Sequence, residues 1–373
     1  MTNARGICGG HTRIPRDEFE RSGPGTMTES VLNSKRNQQI LAEIVRAYVT
    51  TGEPVSSRAI SKSHTEQLSS ASIRNVMADL EDAGLLFQPH TSAGRVPTAA
   101  AYRFFAQQIA VQATLSEEDK SWIRKELEEA NTPEEITERA GHMLAAVSHG
   151  LGIVVMPPLA HSALEHIRFL LLPDGRVVVV LISVGGGSRD KVLRPEHDFT
   201  QSELDRTADY LNRHYNGWTL EAIRTDLLAK LASEKERYGK LLPVALELCD
   251  PAILDAERTR EVYIEGAAQF ASAPELGGTE SLRALLSAIE EKSKLLALLN
   301  GCIEAPEPVH VQIGVKEING AGQHLSLITA PYTVRDQAQG SLGVLGPMRM
   351  QYERAITAVA YMARAFSEAI SRG

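Results

Sequence analysis

The sequence predicts an α+β protein of more than one domain, and three observations support this prediction. The 373 residues, 43% of them hydrophobic, exceed what a single core usually covers. Apolar residues recur at helical spacing near the N-terminus and again in the middle of the chain. Runs of valine, isoleucine and leucine bounded by turn residues lie on both sides of that middle region, and they predict strands.

Residues 1–30 are predicted to be a disordered N-terminal extension. They are interrupted by glycine and proline, show no apolar periodicity and lack the apolar run of a signal peptide. Met27 lies just before the first predicted helix, so translation can start there instead of at Met1. A start at Met27 would leave Cys8 and His11 as incidental residues rather than metal ligands.

Two helices are predicted between residues 31 and 63. Ser34 is a suitable N-cap for the first, and Gly52 and Pro54 end it. Its apolar face consists of Ile40, Leu41, Ile44, Val45, Tyr48 and Val49. The second helix runs roughly from Ser56 to Ser63, with Ala59 and Ile60 turned inward and Arg58 and Lys62 turned outward.

A third helix carries the most informative pattern in the chain. Ser69, Ser70 and Ser72 offer N-cap and first-turn hydroxyls, and Gly84 ends the helix. An apolar stripe is formed by Ile73, Val76, Met77 and Leu80, and the opposite face by Ala71, Arg74, Asn75 and Ala78. Two small residues on that face allow close approach to DNA, while the guanidinium and amide suit base edges. For this helix alone, a merely solvated face is the alternative.

A β-hairpin follows this helix at once. Leu85, Leu86 and Phe87 begin a strand, HTSAG supplies a polar turn, and Arg95 and Val96 lead back to Pro97. The order of helix, helix, recognition helix and wing predicts an N-terminal winged helix-turn-helix domain that binds DNA. These neighbours favour DNA reading over a solvated face.

The predicted DNA contacts fall into three groups. Arg74 and Asn75 are assigned to base edges. We expect phosphates to be bound by the hydroxyls of Ser57, Ser70 and Ser72. We expect the wing to contact DNA through Thr91, Ser92 and Arg95. Arg58 and His90 complete the predicted site; alternatively, Arg58 and Lys62 are solvated and His90 holds the wing in place.

Beyond residue 112 the predicted elements alternate between sheet and helix. Leu115 to Thr137, with a helix start at Ser116, is predicted to contain an exposed linker helix. GIVVMPP, the run from His166 to Leu172 and RVVVVLISV are predicted to be adjacent strands of an antiparallel or mixed sheet, with DGR as a hairpin turn. Ser202 to Asp255 forms a helical middle. Further strands in VHVQIGVKEI, LSLITAPY and GSLGVLGP precede a final helix whose apolar side contains Ala355, Ile356, Val359, Ala360 and Met362.

The net charge of −8 is segregated along the chain. Residues 31–112 contain eight Lys or Arg against six Asp or Glu, whereas residues 1–30 contain four of each, so the excess negative charge belongs to residues 113–373. A weakly basic domain limits non-specific attraction to phosphate, and we therefore expect specific, groove-directed binding.

Several other classes of protein are disfavoured. The longest apolar run, Val177 to Val184, is too short to span a membrane, so we expect a cytoplasmic protein without membrane association. Cys8, Cys249 and Cys302 suggest neither a disulfide framework nor a zinc site. The glycines before Ser188 lack a P-loop ending, and the histidines at 142, 149, 161 and 166 lack metal spacing. We expect no catalytic residues, no metal, no cofactor and no enzymatic activity.

The segments PVSSRAI, LSSASIRNVMADLEDAGLL and QPHTSAGRVPT, together with SLITAPYTVRDQAQGSLGVLGPMRMQYERAI, resemble the HrcA family of heat-inducible repressors. The resemblance covers roughly Leu32 to the end. It implies a GAF-like domain interrupted by a helical dimerisation insert. The expected domains are residues 31–112 (winged helix), 113–201 (first GAF-like part, with the linker helix), 202–260 (inserted dimerisation domain) and 261–373 (second GAF-like part).

The same resemblance implies a function and partners. We expect a homodimer that binds double-stranded DNA at an inverted-repeat operator of the CIRCE type and associates with the nucleoid when bound. Heat would release the operator by depleting the GroEL-type chaperonin that keeps the repressor folded. The alternative is a metabolite-responsive winged-helix repressor, in which Arg349, Met350 and Tyr352 line a pocket of the GAF-like domain instead of closing its core.

Overall fold

The computed structural model describes residues 31–63, 68–91, 93–112, 114–157, 163–183, 188–195, 197–233, 241–249, 262–267, 270, 299, 308–315, 322–334 and 338–372. These residues divide into two compact units. The first contains described residues of 31–44 and 54–98, and the second those of 45–53 and 99–372. The predicted N-terminal extension, residues 1–30, lies outside the described residues.

The first unit is built from helices and one short antiparallel strand pair. Its elements are α1 (Lys35–Thr51, whose last part belongs to the second unit), α2 (Ser57–Ser63), α3 (Ser70–Asp82), β1 (Leu86–Phe87) and β2 (Val96–Pro97). The predicted apolar face of α1 is confirmed at Ile40, Leu41, Ile44 and Val45, all with no exposed surface. On α2, Ile60 is buried as predicted, but the prediction that Ala59 points inward is wrong because Ala59 is exposed. A helix of two turns buries only a narrow stripe, and Ala59 lies 100° away from Ile60.

The second unit combines helices with two antiparallel sheets. Its described helices are α4 (Ala99–Gln112), α5 (Glu117–Glu128), α6 (Pro133–Ser148), α7 (Gln201–His214), α8 (Leu220–Ser233), α9 (Leu241–Leu248) and α10 (Tyr352–Arg372). Its described strands are β3 (Leu151–Val155), β4 (Leu164–Leu171), β5 (Val177–Ser183), β6 (Ser188–Leu193), β7 (Val262–Glu265), β8 (His310–Ile313), β9 (Leu325–Val334) and β10 (Ala338–Pro347). None of the helices within these described ranges is both long and apolar enough to cross a membrane.

The larger sheet has the strand order β7-β3-β10-β9-β8, with every neighbouring pair antiparallel. Helix α10 packs on one face, where the rings of Tyr332 and Phe366 lie 4.6 Å apart. Helix α6 approaches β3 so closely that a Cβ at Gly152 would lie 1.9 Å from the carbonyl oxygen of Gly141. The three late strands and the final helix that the sequence predicted are confirmed.

The smaller sheet has the order β4-β5-β6, and its hairpin turn lies at the predicted DGR segment. Its inner face shares one hydrophobic core with α7, α8 and α9. The prediction that GIVVMPP belongs to the same sheet as the next two strands is wrong, because β3 pairs with β7 and β10. An apolar pattern can predict that a segment is a strand, but it does not show which strand pairs with it. The partner of β3 in β10 lies more than 100 positions away in the chain.

The predicted exposed linker helix is only half exposed. Ser116 caps α5 as expected, since its Oγ accepts a hydrogen bond from the Asp119 backbone N–H at 3.1 Å. However, Ile123 and Leu127 are buried, so the prediction of an exposed linker is wrong on this face. Two apolar residues four positions apart form a stripe that the high overall polarity of the segment conceals.

Among the described residues of the larger sheet, two hydroxyl groups are buried without a hydrogen-bond partner. They are Thr329 Oγ1 on β9 and Ser341 Oγ on β10, and both residues have no exposed surface. By contrast, Ser326 Oγ lies 2.7 Å from Tyr352 Oη, which in turn donates to the Met348 carbonyl oxygen at 2.7 Å. An unpaired buried hydroxyl lowers the stability of the folded state because it loses its hydrogen bonds to water.

We therefore expect Thr329→Val to raise the free energy of unfolding by about 1 kcal/mol, because it removes an unpaired hydroxyl at nearly constant volume. The matched variant Ser326→Ala should lower the free energy of unfolding by a similar amount, because it removes a hydroxyl that is hydrogen-bonded to Tyr352. Denaturant unfolding followed by tryptophan fluorescence measures both, since Trp122 and Trp218 lie in the second unit. A loss of stability in Thr329→Val would show that the hydroxyl is satisfied in solution.

Candidate nucleic-acid interface

Both ends of α3 are fixed by local hydrogen bonds. Ser69 is the N-cap, and its Oγ accepts from the Ser72 backbone N–H at 3.1 Å. At the other end Gly84 adopts a left-handed φ of 72°, and its N–H donates to the Glu81 carbonyl oxygen while the Leu85 N–H donates to that of Leu80. This pair of bonds is a Schellman motif, which ends a helix at a defined residue. The predicted end at Gly84 is confirmed.

The burial of α3 separates its two faces as predicted. Ile73, Val76, Met77 and Leu80 are buried, and the opposite side exposes Ala71, Arg74, Asn75 and Ala78. The exposed face thus presents a guanidinium and an amide between two methyl groups. Arginine pairs with guanine and asparagine with adenine in the major groove, and alanine keeps the helix backbone close to the base pairs.

The C-terminal half of this exposed face is negatively charged, and the N-terminal half is not. Asp79 and Asp82 are exposed near the C-terminal end of α3, whereas Arg74 and Asn75 lie in its first half. Carboxylates are repelled by DNA phosphates, so only the first half of α3 suits contact with DNA. The N-terminal part of the recognition helix is also the part that reads bases in helix-turn-helix proteins.

The predicted phosphate-binding hydroxyls occupy the beginnings of α2 and α3. Ser57 and Ser70 are each the first residue of their helix, and both are half-buried. The hydroxyl of Ser72 lies 3.0 Å from Ser69 Oγ, so it takes part in the α3 cap. Arg58 is exposed on α2, as the sequence predicted. First-turn hydroxyls lie beside free backbone N–H groups, which favour anions.

The wing is a tight hairpin held by one side-chain amide. Phe87 pairs with Val96, and the Ala93 N–H donates to the His90 carbonyl oxygen at 2.8 Å. Gln88 Nε2 donates to the carbonyl oxygens of Thr91 and Ala93 at 3.0 and 2.9 Å. His90 and Thr91 are exposed at the tip, and Ser92 lies outside the described residues. The importance of Gln88 was missed because a glutamine at a strand end gives no distinctive sequence signal.

A third segment joins the wing. Val55 and Arg95 form an antiparallel bridge in which each backbone N–H donates to the other's carbonyl oxygen, at 2.9 and 2.8 Å. The neighbouring Gly94 is required there, because a Cβ would lie 2.4 Å from the Val55 carbonyl oxygen. The segment between α1 and α2 is thereby tied to the returning strand of the wing.

The Arg95 side chain has an intramolecular partner. Its Nη2 lies 2.8 Å from Glu81 Oε2, and its Nε is buried without a hydrogen bond. This ion pair links the wing to the last turn of α3. DNA contact by Arg95 stays a prediction, and it requires the guanidinium to share or leave Glu81. This ion pair was not predicted, because no local sequence motif joins Glu81 to Arg95.

The other chemistries considered from the sequence find no support in the described residues. No group of three or more His, Cys, Asp or Glu side chains there has the geometry of a metal site. His149 adopts a left-handed φ of 55° at the end of α6, and Cys249 is buried in an apolar core that raises the pKa of its thiol to about 12. The glycine run before Ser188, and His161, lie outside the described residues.

The residues proposed to line a GAF-like pocket mostly close a core instead. Met350 and Tyr352 are buried, and the Tyr352 ring packs 5.7 Å from that of Tyr102. Burial raises the pKa of the Tyr352 hydroxyl, which keeps it neutral as a hydrogen-bonding group. Arg349 Nη1 donates to the Val49 carbonyl oxygen at 3.2 Å. These contacts favour packing over ligand binding.

Comparison with known proteins extends over most of the chain. Residues 134–356 match the family described as HrcA protein C terminal domain. A relative from Geobacter sulfurreducens, named Heat-inducible transcription repressor HrcA, is 37% identical over 335 residues, which cover 90% of this chain and 97% of that protein. A relative of the same name from Desulforamulus reducens is 32% identical, over 91% of this chain and 97% of that protein.

A third relative of that name, from Xanthomonas axonopodis pv. citri, is 36% identical over 89% of this chain and 94% of its own length. Among solved structures, the crystal structure of a hypothetical protein has a TM-score of 0.58 at 22% sequence identity, and it covers 91% of this chain and 99% of that one. At this identity the structural likeness shows a shared fold.

Proposed function

We infer the function from one premise: this chain belongs to the HrcA family, whose relatives are heat-inducible transcription repressors. We propose that it represses chaperonin and chaperone genes by binding an inverted-repeat operator of the CIRCE type as a homodimer. Catalysis has no part in this function, and the proposed location is the cytoplasm, at the nucleoid when the operator is bound.

The exposed face of α3 is the observation that carries the proposal. Arg74 and Asn75 project from a helix whose other side is buried, and small residues flank them. We propose a winged helix-turn-helix domain in which α3 enters the major groove, while the exposed tip at His90 and Thr91 contacts the backbone or the adjacent minor groove. Ser57, Arg58, Ser70, Ser72, Ser92 and Arg95 complete the proposed contact surface, chiefly through phosphates.

Dimerisation follows from the size of this reading surface. One recognition helix contacts only a few base pairs, so two heads on a palindrome are needed for discrimination. The low positive charge of residues 31–112 supports the same conclusion, because a large cationic surface is not available to supply affinity. We propose that the GAF-like domain and its insert hold the two heads at the half-site spacing.

Heat induction is proposed to act through folding. The unpaired Thr329 and Ser341 hydroxyls lie in the larger sheet, where they lower the stability of the second unit. A marginally stable body that needs a GroEL-type chaperonin to refold would lose its operator when heat diverts that chaperonin to other unfolded proteins. The alternative is a metabolite sensor, which requires a cavity with convergent polar groups.

We expect Arg74→Ala to weaken binding to a chaperonin-promoter inverted repeat by about 1 to 3 kcal/mol and to relax the preference at one base pair of each half-site. The matched control is Arg36→Ala, which removes the same charge from an exposed position in the first turn of α1. Fluorescence anisotropy with the repeat and with a scrambled duplex measures both. An equal effect of the two variants on both duplexes would contradict base reading by Arg74.

We expect a chaperonin of the GroEL type, with ATP, to raise several-fold the recovery of operator binding after thermal denaturation. The Thr329→Val variant should recover more of its operator binding without chaperonin than the natural sequence does, because its larger sheet is more stable. Chaperonin should therefore raise the recovery of this variant by a smaller factor. Equal recovery of the natural sequence under both conditions would contradict folding control. A large rise in melting temperature with one of a set of candidate metabolites would favour the sensor instead.

A further inference from the structure

The ion pair between Glu81 and Arg95 lies in line with a residue that is predicted to read bases. Glu81 follows Arg74 by seven residues on α3, and seven steps of 100° return to within about 20° of the same direction. The two side chains therefore leave the helix on the same side, about 10 Å apart along its axis. Glu81 Oε2 lies 2.8 Å from Arg95 Nη2, so the guanidinium of the wing is held at the edge of the face that exposes Arg74.

Arg95 is fixed at both ends. Its backbone N–H donates to the Val55 carbonyl oxygen at 2.8 Å, and its carbonyl oxygen accepts from the Val55 N–H at 2.9 Å. The ion pair with Glu81 holds the far end of the side chain. A free arginine side chain must be ordered when it binds, and this ordering costs conformational entropy. In Arg95 much of that ordering is present before DNA is bound.

The guanidinium of Arg95 keeps donors that can reach a further anion. A guanidinium carries N–H groups on Nε, Nη1 and Nη2. Nε is buried without a hydrogen bond to any described residue, and Nη2 faces Glu81, which leaves the N–H groups of Nη1 and the second one of Nη2. The side chain of Arg95 is 19% exposed and that of Glu81 31%, so the pair reaches the surface of the first unit.

We propose that Glu81 is a positioning residue for DNA binding: it holds the Arg95 guanidinium so that the remaining donors bind a DNA phosphate while the ion pair stays formed. Arg95 is the contact residue, and Glu81 acts through it. A phosphate contact of this kind fixes the register of the wing beside α3 without reading sequence. The inference rests on the DNA-binding function proposed above, and it adds an acidic residue whose charge alone would oppose that function.

Release of Arg95 from Glu81 on binding is the alternative, and electrostatics disfavours it. A guanidinium that moved away to DNA would leave an unpaired carboxylate in line with Arg74. Repulsion between that carboxylate and the phosphates would oppose binding. A guanidinium shared between the carboxylate and a phosphate satisfies both anions, and charge-assisted hydrogen bonds of this kind are stronger than neutral ones.

Removal of the Glu81 carboxylate tests the proposal through the sign of its effect. Loss of a negative charge close to DNA ordinarily strengthens binding, because repulsion of the phosphates is relieved. We expect Glu81→Ala instead to weaken binding to the inverted-repeat duplex by about threefold or more, because Arg95 must then be ordered on binding. The matched control is Asp82→Ala, which removes the same charge from the adjacent, exposed position and should bind as tightly as the natural sequence or more tightly. Glu81→Gln keeps an acceptor oxygen at the same reach and should recover part of the loss.

Two further measurements separate positioning through Arg95 from a purely structural effect. Arg95→Ala should weaken binding about tenfold. It should also reduce the slope of log K against log salt concentration by about one, because one phosphate contact is lost. In the Arg95→Ala background, Glu81→Ala should cause no further weakening, because Glu81 then has no guanidinium to hold. Fluorescence anisotropy over a salt series measures all variants, and circular dichroism checks that each is folded.

The outcomes separate this inference from the proposed function. Weaker binding of Glu81→Ala in the natural background alone, together with the reduced salt slope of Arg95→Ala, supports the role of Glu81. Binding of Glu81→Ala as tight as that of Asp82→Ala, an unchanged salt slope for Arg95→Ala, or an equal loss from Glu81→Ala in both backgrounds overturns it. If Glu81→Ala does not fold, Glu81→Gln against Asp82→Asn decides in the same way. A natural sequence that does not prefer the repeat over a scrambled duplex overturns the proposed function, and the same variants on the scrambled duplex then still test Glu81, because phosphate contacts do not depend on sequence.

Discussion

Burial of one stripe of α3 is the constraint on which the proposed DNA-reading surface depends. Ile73, Val76, Met77 and Leu80 enter the core of the first unit, and the 100° step of a helix then determines that Arg74 and Asn75 are exposed. The Ser69 cap and the Schellman motif at Gly84 define where the helix begins and ends. A shift of one residue would turn the helix by 100° and bring either Ile73 and Met77 or Val76 onto the exposed face. Packing and recognition are therefore two consequences of the same sequence period.

The wing is coupled to this helix by contacts that extend beyond a simple hairpin. The Val55–Arg95 bridge attaches the wing to the segment before α2, and the ion pair of Arg95 with Glu81 attaches it to the end of α3. The amide of Gln88 holds the tip from within. These bonds reduce the conformational freedom that the wing would lose on binding, and preorganisation of this kind improves affinity without new contacts.

Local patterns predicted the helices and the hairpin of the first unit well, because caps, glycine stops and apolar spacing depend on neighbouring residues. Contacts between distant residues were not predictable in this way. Val55 joins Arg95 across 40 positions, and β3 pairs with β10 rather than with β4, although β4 follows it in sequence. Within the proposed site, the ion pair of Arg95 with Glu81 was not predicted, because no short-range pattern joins the two residues.

We propose that two copies of α3, held in one dimer, read the two halves of an inverted repeat. Operator duplexes in which the spacer between the half-sites is lengthened by about 5 and by about 10 base pairs test it, because the DNA turns by roughly half and by one full turn. We expect a large loss of affinity with the half-turn insertion and at least partial recovery with the full-turn insertion. Equal affinity for all three duplexes, or for a single half-site, would contradict it.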